Sequence, residues 1–196
     1  MNAGEVGGAG RLVEQDSARR LADPVAAHPL AISTEQTPKF AEAMRMLATG
    51  VVILTVEVDG RPWGVTISSC SSLSMAPPRL VCSLKSNSAA ALAIAAGTRF
   101  GINILSAAQA ELAEASAKPG APKFLDLDIL IHRGDPQVAT PQICDALYNL
   151  DCVVVSRSQI IEHDLVVGEV RWSRSGPRHD PLLYFNRSFR ALAWQT

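Results

Sequence analysis

Residues 51–58 read VVILTVEV, an apolar run rich in β-branched side chains, and Asp59-Gly60 follows at once. β-branched residues pack well on an extended backbone, and Asp-Gly supplies the two positive-φ positions that a tight hairpin needs. The chain therefore doubles back here, with residues 63–69 as the antiparallel partner strand. This single feature commits the fold to antiparallel sheet and sets how the other runs are read.

Further strands are predicted at residues 79–84, 99–105, 128–132, 150–156, 165–172, 181–185 and 189–194. Three helices interrupt them. The first covers 37–49, with Thr37 as cap, Pro38 in its first turn, and Phe40, Met44 and Leu47 at helical spacing. The second is the alanine-rich segment 88–96, capped by Asn87 or Ser88 and closed by Gly97. The third opens on a Ser106/Gln109 capping box and runs to about Ala117, before a break at 118–122. Strands and helices do not alternate strictly, which argues against a doubly wound parallel sheet. The expected fold is mainly β with peripheral helices, an antiparallel barrel.

Residues 1–33 are different in kind. They are rich in Ala, Gly and charge, contain Pro24 and Pro29, and keep no sustained pattern. They read as a flexible N-terminal extension ahead of a folded domain at 34–196. Residues 12–21 carry the makings of a short helix. The run GEVGGAG at 4–10 has the glycines of a dinucleotide loop, but no strand precedes it, so that reading fails.

Composition narrows the function classes. A chain of 196 residues, 47% hydrophobic and 19% charged, suits one globular domain. A net charge of −1 without a basic run argues against nucleic-acid binding. No apolar run approaches the roughly 20 residues needed to cross a bilayer. Cys70, Cys82, Cys144 and Cys152 show neither C-x-x-C nor Cys/His zinc spacing, so no metal site is expected. With no secretory signal in the first residues, they read as reduced thiols of a cytoplasmic protein.

Residues 64–88, GVTISSCSSLSMAPPRLVCSLKSNS, hold eight serines between strand-like segments. Serine is a poor strand former, because its hydroxyl competes for neighbouring backbone groups. Clustered small hydroxyls, with backbone N–H groups left accessible, can hold the edges of a planar polar ligand. Isoalloxazine and phosphate both suit such a surface. A plain polar loop suits it as well.

The order of the motifs adds to this. MRMLATGVVILTV, GVTISSCSSLSMAPPRLVCSL, RFGINIL-x-x-x-Q, HDLVVGEV and DPLLYF together resemble the short-chain flavin reductases, from about Phe40 to Trp194. That resemblance implies an antiparallel split barrel that binds flavin, a homodimer, and hydride transfer from NADH or NADPH to FAD or FMN. It also implies a partner flavin-dependent monooxygenase that receives the reduced flavin. The implied class is an NAD(P)H:flavin oxidoreductase. The alternatives are an oxidoreductase that retains its flavin, or a non-catalytic flavin- or haem-binding module.

The resemblance also assigns residues. Thr66, Ile67, Ser68, Ser69, Cys70, Ser72 and Leu73 would follow the isoalloxazine and ribityl edge. Ser83, Lys85, Asn87 and Ser88 would meet ribityl hydroxyls or phosphate, at a helix start that favours an anion. Asn103 and Gln109 match further parts of the flavin site, although the capping box explains Gln109 equally well. His163 is placed near nicotinamide as the catalytic residue, on a loop opposite the serine segment. The family commonly has Gly-Asp-His there, and this chain has Ile161, Glu162 and His163. Phe40, Phe185 and Phe189 are candidate walls for NADH, Phe185 standing near where the family often carries a histidine. No arginine pair marks a 2′-phosphate pocket, which favours NADH.

Overall fold

The structure is a computed structural model that describes residues 36–131 and 136–192. Segments 4–10 and 12–21, and the whole of 1–33, lie outside the described residues. The chain divides into two units, Met1–Lys39 and Phe40–Thr196, and both sheets lie in the second.

Helix α1 covers Gln36–Arg45, so Thr37 lies inside it and is not its cap. It stops short of the expected Thr49 because Thr49–Gly50 is drawn out as strand β1 and pairs with β9, Leu182–Phe185. The hairpin of β2 (Val52–Val58) and β3 (Arg61–Ile67) forms as expected. Asp59 at φ 51° and Gly60 at φ 72° give the two positive-φ positions of a type I′ turn.

The serine stretch departs from expectation. Cys70–Met75 is a strand, β4, paired with β5 (Pro78–Lys85), rather than a loop. Cross-strand pairing overrides serine's weak propensity. A register shift between Ser72 and Ser74 leaves Leu73 bulged.

Helix α2 is only Ala89–Ala93, with Ser88 as its cap. It ends early because Ile94 is fully buried and already extended. Strand β6 (Arg99–Ile104) leads to the expected capping box, a 3₁₀ turn at Ala107–Gln109, and helix α3 (Ala110–Ala117). Segment 128–132 is not a strand. It starts in a 3₁₀ turn at Leu127–Ile129 and makes one isolated bridge, Leu130 to Ile143. Its partner is irregular chain, so no ladder can extend; His132 lies outside the described residues.

Strands β7 (Tyr148–Ile160) and β8 (His163–Ser175) are both longer than their apolar cores suggested, because paired polar residues continue them. Strands β9 and β10 (Ser188–Ala191) close the described chain. Trp194 lies outside the described residues.

The larger sheet has the order β3-β2-β6-β7-β8-β5-β4. Laid flat, seven strands would hold the β3 and β4 edges roughly 29 Å apart. Only Ser68 and Ser69 join those strands, and such a link spans about 11 Å at most. The sheet must therefore curl until its edges approach. No ladder joins β3 to β4 in the strand order, so the product is an antiparallel split barrel.

Alternation along the strands sorts the side chains. Val52, Leu54, Cys82, Leu84, Phe100, Cys152 and Val166 fill the barrel with Ala90, Ala91 and Ile94 of α2. A second cluster, including Val51, Ile53, Leu105, Ala113, Ile143 and Leu182, packs separately. Gly168 is dictated by this core: a Cβ there would run into the ring of fully buried Phe100.

Candidate functional site

Register places the chemistry on the outer face of β5, β8 and β7. Across these strands His163 pairs with Lys85 on one side and Ile160 on the other. Leu165 likewise sits between Ser83 and Ser158, and Val167 between Val81 and Ser156. His163 is thus the first residue of β8 and a direct neighbour of the serine segment. It is not on an opposing loop, a correction that follows from β5 pairing with β8.

The serine segment is tied to this face. Ser69 Oγ donates to Ser83 O at 2.8 Å, and Ser83 N donates to Ser69 O at 3.1 Å. Ser86 N donates to Glu162 O at 3.0 Å, which fastens the turn after β5 to the β7–β8 hairpin tip. The Ser86 hydroxyl is buried without a partner among the described residues. Lys85 and Asn87 are exposed, and no hydrogen bond holds the His163 ring among the described residues. A cleft of about 360 Å³ opens beside it, lined by Ile160, Ile161, Glu162, His163 and Leu165.

Several expected site residues are committed elsewhere. Asn103 is completely buried. Its amide donates to Ile53 O at 3.0 Å and Thr55 Oγ1 at 3.2 Å, and its carbonyl accepts from Ile143 N and Asn149 Nδ2. No capacity is left for a ligand. Gln109 closes the capping box through Oε1 and donates to Cys144 O at 2.8 Å. Both residues are thus engaged in the framework. Thr66 donates its hydroxyl to Ala113 O at 2.7 Å, and Ile67 points into the barrel core. Ser88 accepts from Ala91 N at 3.2 Å as the cap, and α2 is too short for a strong dipole.

Ser68, Ser69, Ser72 and Leu73 remain exposed along the β3–β4 link and β4. Cys70 pairs with Cys82 across the strands, facing the barrel interior. Burial pushes the Cys70 thiol up to about 11; burial, with Cys70 nearby, pushes Cys82 up to about 12. Burial also raises Cys152. These thiols stay protonated near neutrality and supply no nucleophile. All four cysteines are free.

The phenylalanines are not gathered with His163. Phe40 lies exposed on α1. Phe185 belongs to β9, and Phe189, on β10, packs on the second core cluster and edge-on against Tyr184. Beneath the hairpin, buried Asp164 accepts from Arg157 Nη2 at 2.7 Å, and Arg157 also donates to Ile94 O. Sequence reasoning missed Ile160, Ile161 and Leu165 as lining residues. Period-two alternation from His163 would have found Leu165.

What this face can do is bind and orient. It offers hydroxyls, unpaired strand-edge groups, one lysine, one unengaged imidazole and an apolar cleft. Among the described residues no group of three His, Cys, Asp or Glu could hold a metal, and no helix is long and apolar enough to cross a membrane.

The reductase component of a 4-nitrophenol 4-monooxygenase/4-nitrocatechol 2-monooxygenase from Rhodococcus opacus is 34% identical, over 81% of this chain and 85% of that protein. An FMN reductase (NADH) from Methylorubrum extorquens (strain PA1) is 32% identical over 86% and 95%. The solved styrene monooxygenase flavin reductase from Pseudomonas putida S12 superposes with a TM-score of 0.66 at 26% identity, covering 81% of this chain and 99% of that one. Residues 44–193 match the family described as the flavin reductase like domain, and the chain belongs to that family.

Proposed function

We propose that this protein is an NADH-dependent flavin reductase that passes reduced FMN or FAD to a partner monooxygenase. The observation that carries this reading is the convergence of Ser69 and Ser83, the Lys85–Ser88 turn and an unengaged His163 on one face. The residues fit a flavin. Among the described residues the buried Ser86 hydroxyl lacks a hydrogen-bonding partner, and β4, last in the strand order, offers backbone groups along its free edge.

Bound together, flavin and dihydronicotinamide supply the redox chemistry themselves, so the chain needs no nucleophile. Its own task is to stack the two rings with reacting atoms about 3–3.5 Å apart. Ser68, Ser69, Ser72 and the β4 backbone would orient the ring edge and offer donors where negative charge builds. Ser83, Lys85 and Asn87 would meet the ribityl chain and phosphate, Lys85 contributing positive charge. His163 would hold the nicotinamide carboxamide through its free imidazole.

Asn103 and Gln109 position this framework from behind. A cytoplasmic location and a homodimer complete the reading, the homodimer supported by the exposed apolar residues Phe40 and Met44 of α1. The deciding experiment is steady-state oxidation of NADH and NADPH with added FMN, FAD and riboflavin. NADH turnover that requires flavin is expected. Absence of flavin-dependent oxidation with every combination would overturn the proposal.

A further inference from the structure

Five residues other than glycine hold a positive φ among the described residues: Asp59, Asp145, Ile161, Asn186 and Arg187. Asp and Asn tolerate that region because their short polar side chains bond locally. Ile161, at φ 56°, is the only β-branched residue among them, and for such a side chain the region is a true outlier. It is the first of two residues linking β7 to β8, and Glu162, the second, has no positive φ. That sign pattern is a type II′ turn, whose first central position suits glycine. A glycine would hold this turn without strain. The isoleucine is nonetheless 87% exposed, so its hydrocarbon gains nothing from the folded chain in return.

Strain of this kind persists where surrounding structure imposes it, and it clusters at ligand clamps. Here the tip is fixed by the Ser86 N to Glu162 O hydrogen bond and by the Ile160–His163 pair. Ile161 shares the cleft of about 360 Å³ with His163, Ile160 and Leu165. The aromatic residues expected as nicotinamide walls lie on α1, β9 and β10, so the apolar lining of this cleft is aliphatic.

We infer that Ile161 is a specificity-determining wall for the dihydronicotinamide ring, closing over it beside His163. The inference rests on the reductase reading above. The strain at Ile161 is kept because its side chain leaves water only when that ring arrives.

The test compares wild type with Ile161→Gly and Ile161→Leu, with flavin saturating and either NADH or dihydronicotinamide mononucleotide as donor. Each methylene that leaves water is worth about fourfold in binding, so Ile161→Gly should raise KM for NADH about tenfold. kcat should change less than about twofold, since ground state and transition state lose the same contact. The mononucleotide should show the same ratio, because the contact is with the ring. Ile161→Leu should return KM to within about threefold of wild type. The thermal midpoint of Ile161→Gly should be unchanged or higher, by about 2–4 °C.

An unchanged KM in Ile161→Gly overturns the inference. So does a loss seen with NADH and not with the mononucleotide, which would put the contact at the adenosine end. A weakened dimer with unaltered kinetics overturns it as well. Failure of the wild type to oxidise NADH with any flavin would instead strike the reductase reading itself.

Discussion

A carboxamide has four hydrogen-bonding positions, and in Asn103 the fold uses all four. Replacing it with alanine strands the Ile143 amide and an Asn149 hydrogen in the core. Asn103→Ala should therefore cost about 2–4 kcal/mol and lower the thermal midpoint by roughly 5–15 °C. Flavin titration of the folded variant should stay within about twofold of wild type; a large loss of flavin affinity would restore Asn103 as a ligand contact. The barrel thiols make a second prediction at this scale. Cys70 and Cys82 remain protonated in the folded chain up to about pH 11 and about pH 12, whereas unfolding returns them to an ordinary value near 9.0. A folded value raised above the unfolded one means that the stability is whole below about pH 9 and is lost as pH climbs toward 11. The slope is up to about 1.4 kcal/mol per pH unit for each thiol. Urea midpoints measured across that window should fall, and fall less steeply in Cys82→Ala.

At the scale of elements, the readable parts of the sequence were those whose signal is local. Asp59-Gly60 needs only its own φ preferences, and Ser106 with Gln109 needs only one turn of chain. Strand β4 was hidden because its stability comes from β5, not from its serines. The ends of β7 were hidden because Arg157, Ser158 and Gln159 have no apolar alternation, yet each finds a partner in β8. Segment 128–132 erred the other way, since an apolar run without a free ladder beside it stays irregular. Of the candidate site, the serine run and His163 were legible as motifs, but their adjacency was not, because register across β5 and β8 is a tertiary fact. That adjacency separates two roles. Ser72→Ala should weaken flavin binding by roughly 2- to 13-fold, the worth of one hydroxyl contact, and leave KM for NADH unchanged. His163→Ala should keep flavin affinity and slow stopped-flow bleaching of flavin by NADH about tenfold, or about 1.4 kcal/mol in the barrier. If both variants change the same parameter, the division between edge strand and hairpin is wrong.

At the scale of the molecule, light scattering at micromolar concentration should give roughly twice the 20.9 kDa chain mass. A fully active species at the mass of one chain would remove the dimer from the proposed function. The gap between β3 and β4 has its own consequence. The β3 edge is partly covered, since Gly64 N donates to Lys123 O and Leu125 N to Pro62 O. The β4 edge ends the strand order, and a bare edge invites a stray chain to add itself as the next strand. The low strand propensity of Ser71 and Ser72 and the bulge at Leu73 make β4 a poor template for such growth. Ser72, proposed to receive flavin, would then also guard against clumping while the site stands empty. A Ser71→Val/Ser72→Val double variant should form a better isolated strand and a worse protein. Without flavin, its solutions should turn cloudy on gentle warming while wild type stays clear.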